Sequence, residues 1–165
     1  MALISNIGAG IFTTLKFKAD STYTLPTDDS THQTFISGSG DFNGSTEVTS
    51  IREFPSFGKP ANIVNVPQYG QSVSSQIQGQ ADAPTMEFTV NYVPSVHGAI
   101  QALVQDGNQY IFQIDVKNAE TGDNGAFYVK GSFASFEVTP SLTDSNQATI
   151  TMSTAGDYKG PFADA

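Results

Sequence analysis

Cysteine is absent from this chain, and with it go disulfides, thiolate nucleophiles, thiolate zinc sites and iron–sulfur ligation. Such a chain can fold in a reducing compartment. Long hydrophobic runs are missing too. No segment approaches the roughly 20 apolar residues that span a bilayer, and the opening "MALISNIGAGIFTTLKFKAD" has no basic stretch ahead of an apolar block. The expectation is a soluble, cytoplasmic protein without membrane insertion. Charge is thin, at 14% of residues, where about 25% is ordinary. Bases are the scarcest, seven against sixteen acids, for a formal net charge of −9. The acids run from Asp20 to Asp164 without gathering in a tail. No basic stripe offers itself to phosphates, which argues against nucleic-acid binding. It does not argue against a protein that stays near DNA without sticking to it.

What is present alternates with period two. At 165 residues the chain has the length of one domain, residues 1–165, able to bury roughly 70% of its unfolded surface. We expect a flexible N-terminus and a loop over 18–45. "IFTTLKF" puts Ile11, Leu15 and Phe17 on one face. "TMEFTVNYV" sets Met86, Phe88, Val90 and Tyr92 against Glu87, Thr89 and Asn91, and "QYIFQIDV" sets Tyr110, Phe112, Ile114 and Val116 against Ile111, Gln113 and Asp115. These read as strands with one packed and one wetter face. In "AFYVKGSFASFEV" the apolar phase shifts between Phe133 and Phe136, which predicts a bulge near Ala134 or Ser135. "QATITMS" closes the set, and "TEVTSIREF" and "NIVNV" are weaker strands on either side of the turn-like "PSFGKPA".

One segment has helical spacing, "PSVHGAIQALVQDG", with Val96, Ile100, Leu103 and Val104 on one stripe, Ser95 as N-cap and Gly107 just past the end. Asn124-Gly125 in "TGDNGAF" suits a two-residue hairpin turn. The fold class is mainly β: an antiparallel β-sandwich or partly open barrel with one flanking α-helix and a long polar loop. That loop, "PQYGQSVSSQIQGQADAP" (67–84), holds Gln68, Tyr69, Gln71, Gln76, Ile77, Gln78 and Gln80, and a single charge, Asp82. A connection this long inside a compact domain signals function or disorder.

Catalytic signatures are missing. "GSGDFNG" lacks the spacing and following helix of a dinucleotide loop, and "ETGDNG" lacks the register and closing glutamate of a calcium loop. His32 and His97 stand 65 positions apart with no metal-ligand spacing. His97 reads as a partly exposed helix residue. No nucleophile elbow, P-loop or H-E-x-x-H occurs, and the "NGS" at Asn43 reads as a chance match to a glycosylation acceptor. The expectation is no enzyme, no cofactor and no metal.

The run "SSQIQGQADAPTMEFTVNYVPSVHGAIQALVQDGNQYIFQIDV", followed by "GAFYVKGSFASFEV" and "NQATITMSTAG", and preceded by "IGAGIFTTLKF", resembles the major tail tube proteins of long, non-contractile-tailed, lambda-like phages. The likeness covers most of residues 8–155, and "GPFADA" is followed by none of the immunoglobulin-like domain some members carry. The resemblance implies a virion protein of the tail, made in the host bacterial cytoplasm. Its subunits would form hexameric rings stacked into a tube around a tape-measure protein, meet tail terminator and tip proteins, and later pass DNA without tight binding. It implies that the wet faces line a lumen, with Glu87, Thr89, Asn91, Gln113 and Asp115 as candidates, Ile111 being a mismatch on that face. Residues 67–84 then become an assembly arm, poorly ordered alone and ordered against a neighbour. The alternatives are a small β-sandwich binding module for carbohydrate or a receptor, and a tube protein of a contractile tail or secretion system.

Overall fold

The computed structural model describes residues 12–58, 62–118 and 124–163; Ile11 lies outside them. Eleven elements follow in order: β1 (Thr14–Ala19), α1 (Asp29–Ile36), β2 (Thr46–Val48), β3 (Ile51–Glu53), β4 (Ile63–Val66), β5 (Ser75–Gln78), β6 (Thr85–Asn91), α2 (Pro94–Gln101), β7 (Tyr110–Lys117), β8 (Asn124–Thr139) and β9 (Gln147–Phe162). Seven strands make one antiparallel sheet, ordered β2-β1-β7-β8-β9-β6-β3, and β4 pairs with β5 alone. The two edge strands β2 and β3 are consecutive in the chain, so the sheet curls until its edges meet through Thr49 and Ser50 and comes close to a closed barrel. Ser50 sits at φ 61° to make that corner.

The period-two reading accounts for the principal core. Leu15, Phe17, Met86, Phe88, Val90, Tyr110, Phe112, Ile114, Val129, Phe133, Ala148, Ile150 and Met152 pack together inside the curl. Phe133 is its hub, edge-on to Phe17 at 5.1 Å, Phe112 at 5.2 Å and Tyr110 at 5.2 Å. The phase change in β8 is a real irregularity: the pairing with β9 shifts between Phe133 and Ser135 and returns Phe136 to the row of Ile150. β8 and β9 also come very close at Gly131, where a Cβ would stand 2.2 Å from the Ser153 carbonyl oxygen, so no side chain fits. Phe54 and Phe57, in the connection after β3, pack on Phe88 and on Phe127 and Tyr158.

Several local expectations are corrected. α2 begins at Pro94 with Val93 as cap, not Ser95, and it ends at Gln101. Gly107, at φ 81°, closes the following turn instead. Val96 is largely exposed and His97 is fully buried, because the ring does polar work inside the wall. Its Nδ1 accepts the Val93 N–H at 3.0 Å, and its Nε2 lies 3.0 Å from the Thr49 carbonyl, to which it donates. Asn124-Gly125 forms no turn: both are paired strand residues opposite Lys117 and Val116.

Residues 18–45 are more than a loop, since they include the end of β1 and all of α1. Asp28 caps α1 by accepting the Thr31 N–H at 2.7 Å, and Thr31 Oγ1 accepts the Asp28 N–H at 3.0 Å, a reciprocal box that fixes the helix start. α1 lays His32 and Phe35 on the outer face of β7 and β8, where Phe35, Phe42, Ile111, Ala126, Tyr128 and Phe162 form a second apolar cluster. β7 is therefore covered on both faces.

The turn after α2 holds one pH-sensitive contact. The Tyr110 hydroxyl donates to Asp106 Oδ2, and burial, then that bond, push the phenol up to about 12. The same bond holds the Asp106 carboxyl below the usual carboxylate range. A raised folded-state pKa stabilises below the free value, and that contribution is lost as the pH climbs from about 10 to about 12. Urea midpoints should accordingly fall over this window. Tyr110→Phe should flatten the fall, and an identical alkaline profile in the variant would contradict the assignment.

Candidate assembly surfaces

Among the described residues two surfaces are left without cover, and the sequence builds each for a different reason. The first is the outer face of β6, β9 and the second half of β8. Every other residue of these strands points outward, and the register arranges them in rows: Thr85, Ser153, Ser132; Glu87, Thr151, Ser135; Thr89, Thr149, Glu137; Asn91, Gln147, Thr139. On β3, Glu53 stands beside Thr89. The rows are hydroxyls, amides and carboxylates, with no lysine or arginine among them. Such a face has nothing to bury, and an antiparallel sheet can leave it in water.

Four of the cations have partners among the described residues. Lys130 Nζ meets Asp20 Oδ2 and the Tyr23 carbonyl oxygen, both at 2.8 Å. Lys18 Nζ caps the carbonyls of Asp41 and Asn43 at 2.5 and 2.7 Å. Lys117 pairs with Asp115 at 3.1 Å, and Arg52 with Asp144 at 3.0 Å. The Ser145 N–H, then Arg52, lowers the Asp144 carboxyl from its ordinary value. Four of the bases thus serve their own chain.

Of the proposed lining residues, Glu87, Thr89 and Asn91 stand on this bare face, whereas Gln113 and Asp115 do not share it. The two are only 6% and 5% exposed, enclosed by the segment that carries α1. Gln113 Nε2 donates to the Tyr128 hydroxyl at 2.9 Å, and that hydroxyl lies 2.9 Å from His32 Nδ1. This places a buried polar chain from β7 through β8 to α1. Ile111, the misfit on a wet face, was the sequence signal that this side of β7 is packed.

The second surface is the segment read as an unstructured arm, which is an ordered hairpin. β4 and β5 pair Ile63 with Gln78, Val64 with Ile77, Asn65 with Gln76 and Val66 with Ser75. Gln68, Tyr69 and Gln71 lie in the connection between these strands, Gln76 and Gln78 share a face with Asn65, and Ile77 shares the other with Val64 and Val66. Gln80 and Asp82 follow in the strand-free stretch to β6. Tyr69 is fully exposed, and Ile63, Ile77 and Val73 each keep more than half of their surface in water. A two-stranded hairpin is marginal by itself, and this one exposes apolar side chains on both faces, Ile63 beside the amides and Val64 and Ile77 on the other side. A third feature is the far half of β9: β6 pairs with it only as far as Ser153, so among the described strands Thr154–Phe162 is paired with β8 alone.

No protein-family model matches this sequence, and no curated protein does. Solved structures do resemble it. A chain of the anti-feeding prophage (AFP) baseplate, in a six-fold symmetrised electron cryo-microscopy structure, is 7% identical, with a TM-score of 0.58 over 98% of this chain and 97% of that one. The SPP1 tail tube protein is 12% identical, with a TM-score of 0.58 over 91% of this chain and 76% of its own. At these identities the likeness is one of backbone and topology: this chain has the fold of phage tail tube and baseplate proteins.

Proposed function

We propose that this chain is a structural subunit of a phage tail tube, assembling into six-membered rings that stack around a channel through which DNA leaves the particle. The observation that carries this reading is the coexistence of a polar sheet face whose rows hold no lysine or arginine with an uncharged hairpin that exposes apolar side chains. A lone soluble domain needs neither. In a ring, strands of adjacent subunits add to sheet edges and remove them. Glu87, Thr89 and Asn91, with their neighbours Thr149, Thr151 and Glu137, then face the lumen. Gln113 and Asp115 are better read as supports of the wall behind it. A tape-measure protein before ejection, and terminator and tip proteins at the ends, complete the partners of this reading.

The charge has a mechanical consequence. Duplex DNA carries about one negative charge per 1.7 Å of axis, and basic walls hold it by releasing counterions. Carboxylates and hydroxyls repel or release it instead, so it slides. We expect no gel shift of duplex DNA at micromolar protein and physiological salt. Glu87→Lys combined with Glu137→Lys should leave tubes intact and slow or stall ejection, and normal ejection from particles carrying both changes would remove these residues from the lumen. The assembly claim is tested by sedimentation across a concentration series. A species at six times the 17.5 kDa chain mass, followed by larger stacks, is expected, and a single monomer boundary throughout would refute it. A second reading, a baseplate subunit, is supported by the equal likeness to the AFP baseplate chain. Such a subunit would stop at rings of fixed size where a tube subunit continues to stack.

A further inference from the structure

The chain has two histidines, and each is fully buried on the inner side of a helix with one apolar residue three positions on: His32 and Phe35 in α1, His97 and Ile100 in α2. Each helix is moored by that pair. At its start α1 has a reciprocal side-chain box, whereas the cap residue of α2, Val93, makes no side-chain hydrogen bond. His97 reaches back instead, its Nδ1 accepting the Val93 N–H at 3.0 Å while its Nε2 meets the Thr49 carbonyl oxygen at 3.0 Å. A backbone N–H only donates and a carbonyl only accepts, so these partners hold the ring neutral with its hydrogen on Nε2. One ring thus ties the start of α2 to the corner between β2 and β3.

That corner is where the curled sheet closes. β2 and β3 have three residues each and are paired on one side only, β2 with β1 and β3 with β6. Besides the ring, the Asn91 N–H holds the corner by donating to the Ser50 carbonyl oxygen at 2.9 Å. Tyr92, just past β6, stacks on the ring at 6.2 Å. A second proton, on Nδ1, would point at the Val93 N–H and leave a buried imidazolium without an anion. The charged groups of the surrounding elements are turned elsewhere. α2 itself carries no carboxylate or ammonium. On β2, Glu47 lies in the row of Lys16, opposite in direction to buried Val48; on β3, Glu53 stands beside Thr89 and Arg52 is engaged by Asp144. Among the described residues neither ring nitrogen has a carboxylate partner.

We propose that His97 is an acid-released pin: on taking a second proton it frees the start of α2 from the Thr49 corner, and the barrel opens along the seam between β2 and β3 while β7, β8 and β9 stay paired. The proton comes from solvent, and only hydrogen bonds break. The device belongs to the single subunit and goes beyond the tube reading. Its sign follows from proton uptake on opening. A free histidine takes its proton near pH 6.5, so opening is indifferent to pH above about 6.5 and favoured about tenfold per pH unit below it. Hydrogen exchange of the full chain, kept too dilute to stack and corrected for the intrinsic pH dependence of exchange, reads this segment by segment, which separates α2 from His32 on α1. Protection of the α2 amides and of the Asn91 N–H should fall about tenfold per pH unit below about 6.5, with the β8 and β9 amides unchanged. His97→Gln, which offers an amide to Thr49 and cannot become charged, should abolish that slope. A second reading needs no variant: nitrogen-15 spectra of the parent's histidine rings should show His97 with hydrogen on Nε2 alone at neutral pH, and doubly protonated only as α2 loses protection. The same slope in His97→Gln, or a doubly protonated His97 under a still protected α2, would overturn the pin.

Discussion

Replacing residues 63–78 with a short Gly/Ser linker is expected to leave a folded monomer and abolish tubes. The hairpin forms its own two-stranded sheet, and none of its residues belongs to either apolar cluster, so its removal takes no side chain from the core. Changing the length of a flexible loop by a factor of two alters stability by only about 0.6 kcal/mol. The melting temperature should accordingly move by no more than about 3 °C. Assembly should disappear at every concentration, because an extended uncharged surface is gone. High salt should not restore it: screening over about 8 Å at physiological ionic strength weakens repulsion between acidic subunits but supplies no new contact. Cooperative melting together with sedimentation of the deletion and the parent decides the matter. A deletion that still builds tubes would refute the arm, and one that fails to fold would make the hairpin part of the core.

Phe133→Ala is expected to have the opposite signature. Phe133 is 2% exposed and edge-on to three aromatic rings drawn from β1 and β7. Removing its ring leaves a cavity that neighbours held in paired strands can only partly collapse into, at a cost of about 3–5 kcal/mol. For a domain of this length the melting temperature should drop on the order of 10 °C, and assembly should weaken only in proportion to the folded fraction. Ile77→Ala, on the hairpin, should do the reverse: no measurable change in melting and a loss of stacking. Equal thermal effects of the two substitutions would contradict the division between core and arm.

That division was legible in the sequence to the extent that one physical rule governed a segment. Where a strand buries one face and wets the other, as in β6 and β9, the alternation named the inward residues, and in β8 the break in phase located the bulge. Where burial is two-sided the rule failed. Gln113 and Asp115 look like wet-face residues by pattern, but α1 and Phe42 cover them; the Gln113 amide donates to Tyr128 and Asp115 Oδ2 pairs with Lys117, while Asp115 Oδ1 is buried without a hydrogen-bond partner among the described residues. α1 itself was missed because an eight-residue helix with only His32 and Phe35 turned inward carries almost no periodicity; its one strong sign is Asp28 with Thr31 three positions on. β9 runs to Phe162, well past the expected "QATITMS", since Gly156, Asp157 and Gly160 disguise a strand that must bend. The arm shows the same limit from the other side. Its composition marked it as unlike a core, but the pairing of Val64 with Ile77 that makes it a hairpin is a relation between positions 13 apart, invisible to any local pattern. Whether a candidate stands on the bare face or is buried follows from whether its strand lies under α1 or beside it.

The central claim is that this fold exists to repeat itself. Negative-stain electron microscopy of the concentrated, unmodified protein tests it most directly. The account predicts hollow tubes of one diameter with a regular axial repeat and a six-fold end-on view, and a field of dispersed single particles at every concentration would contradict it.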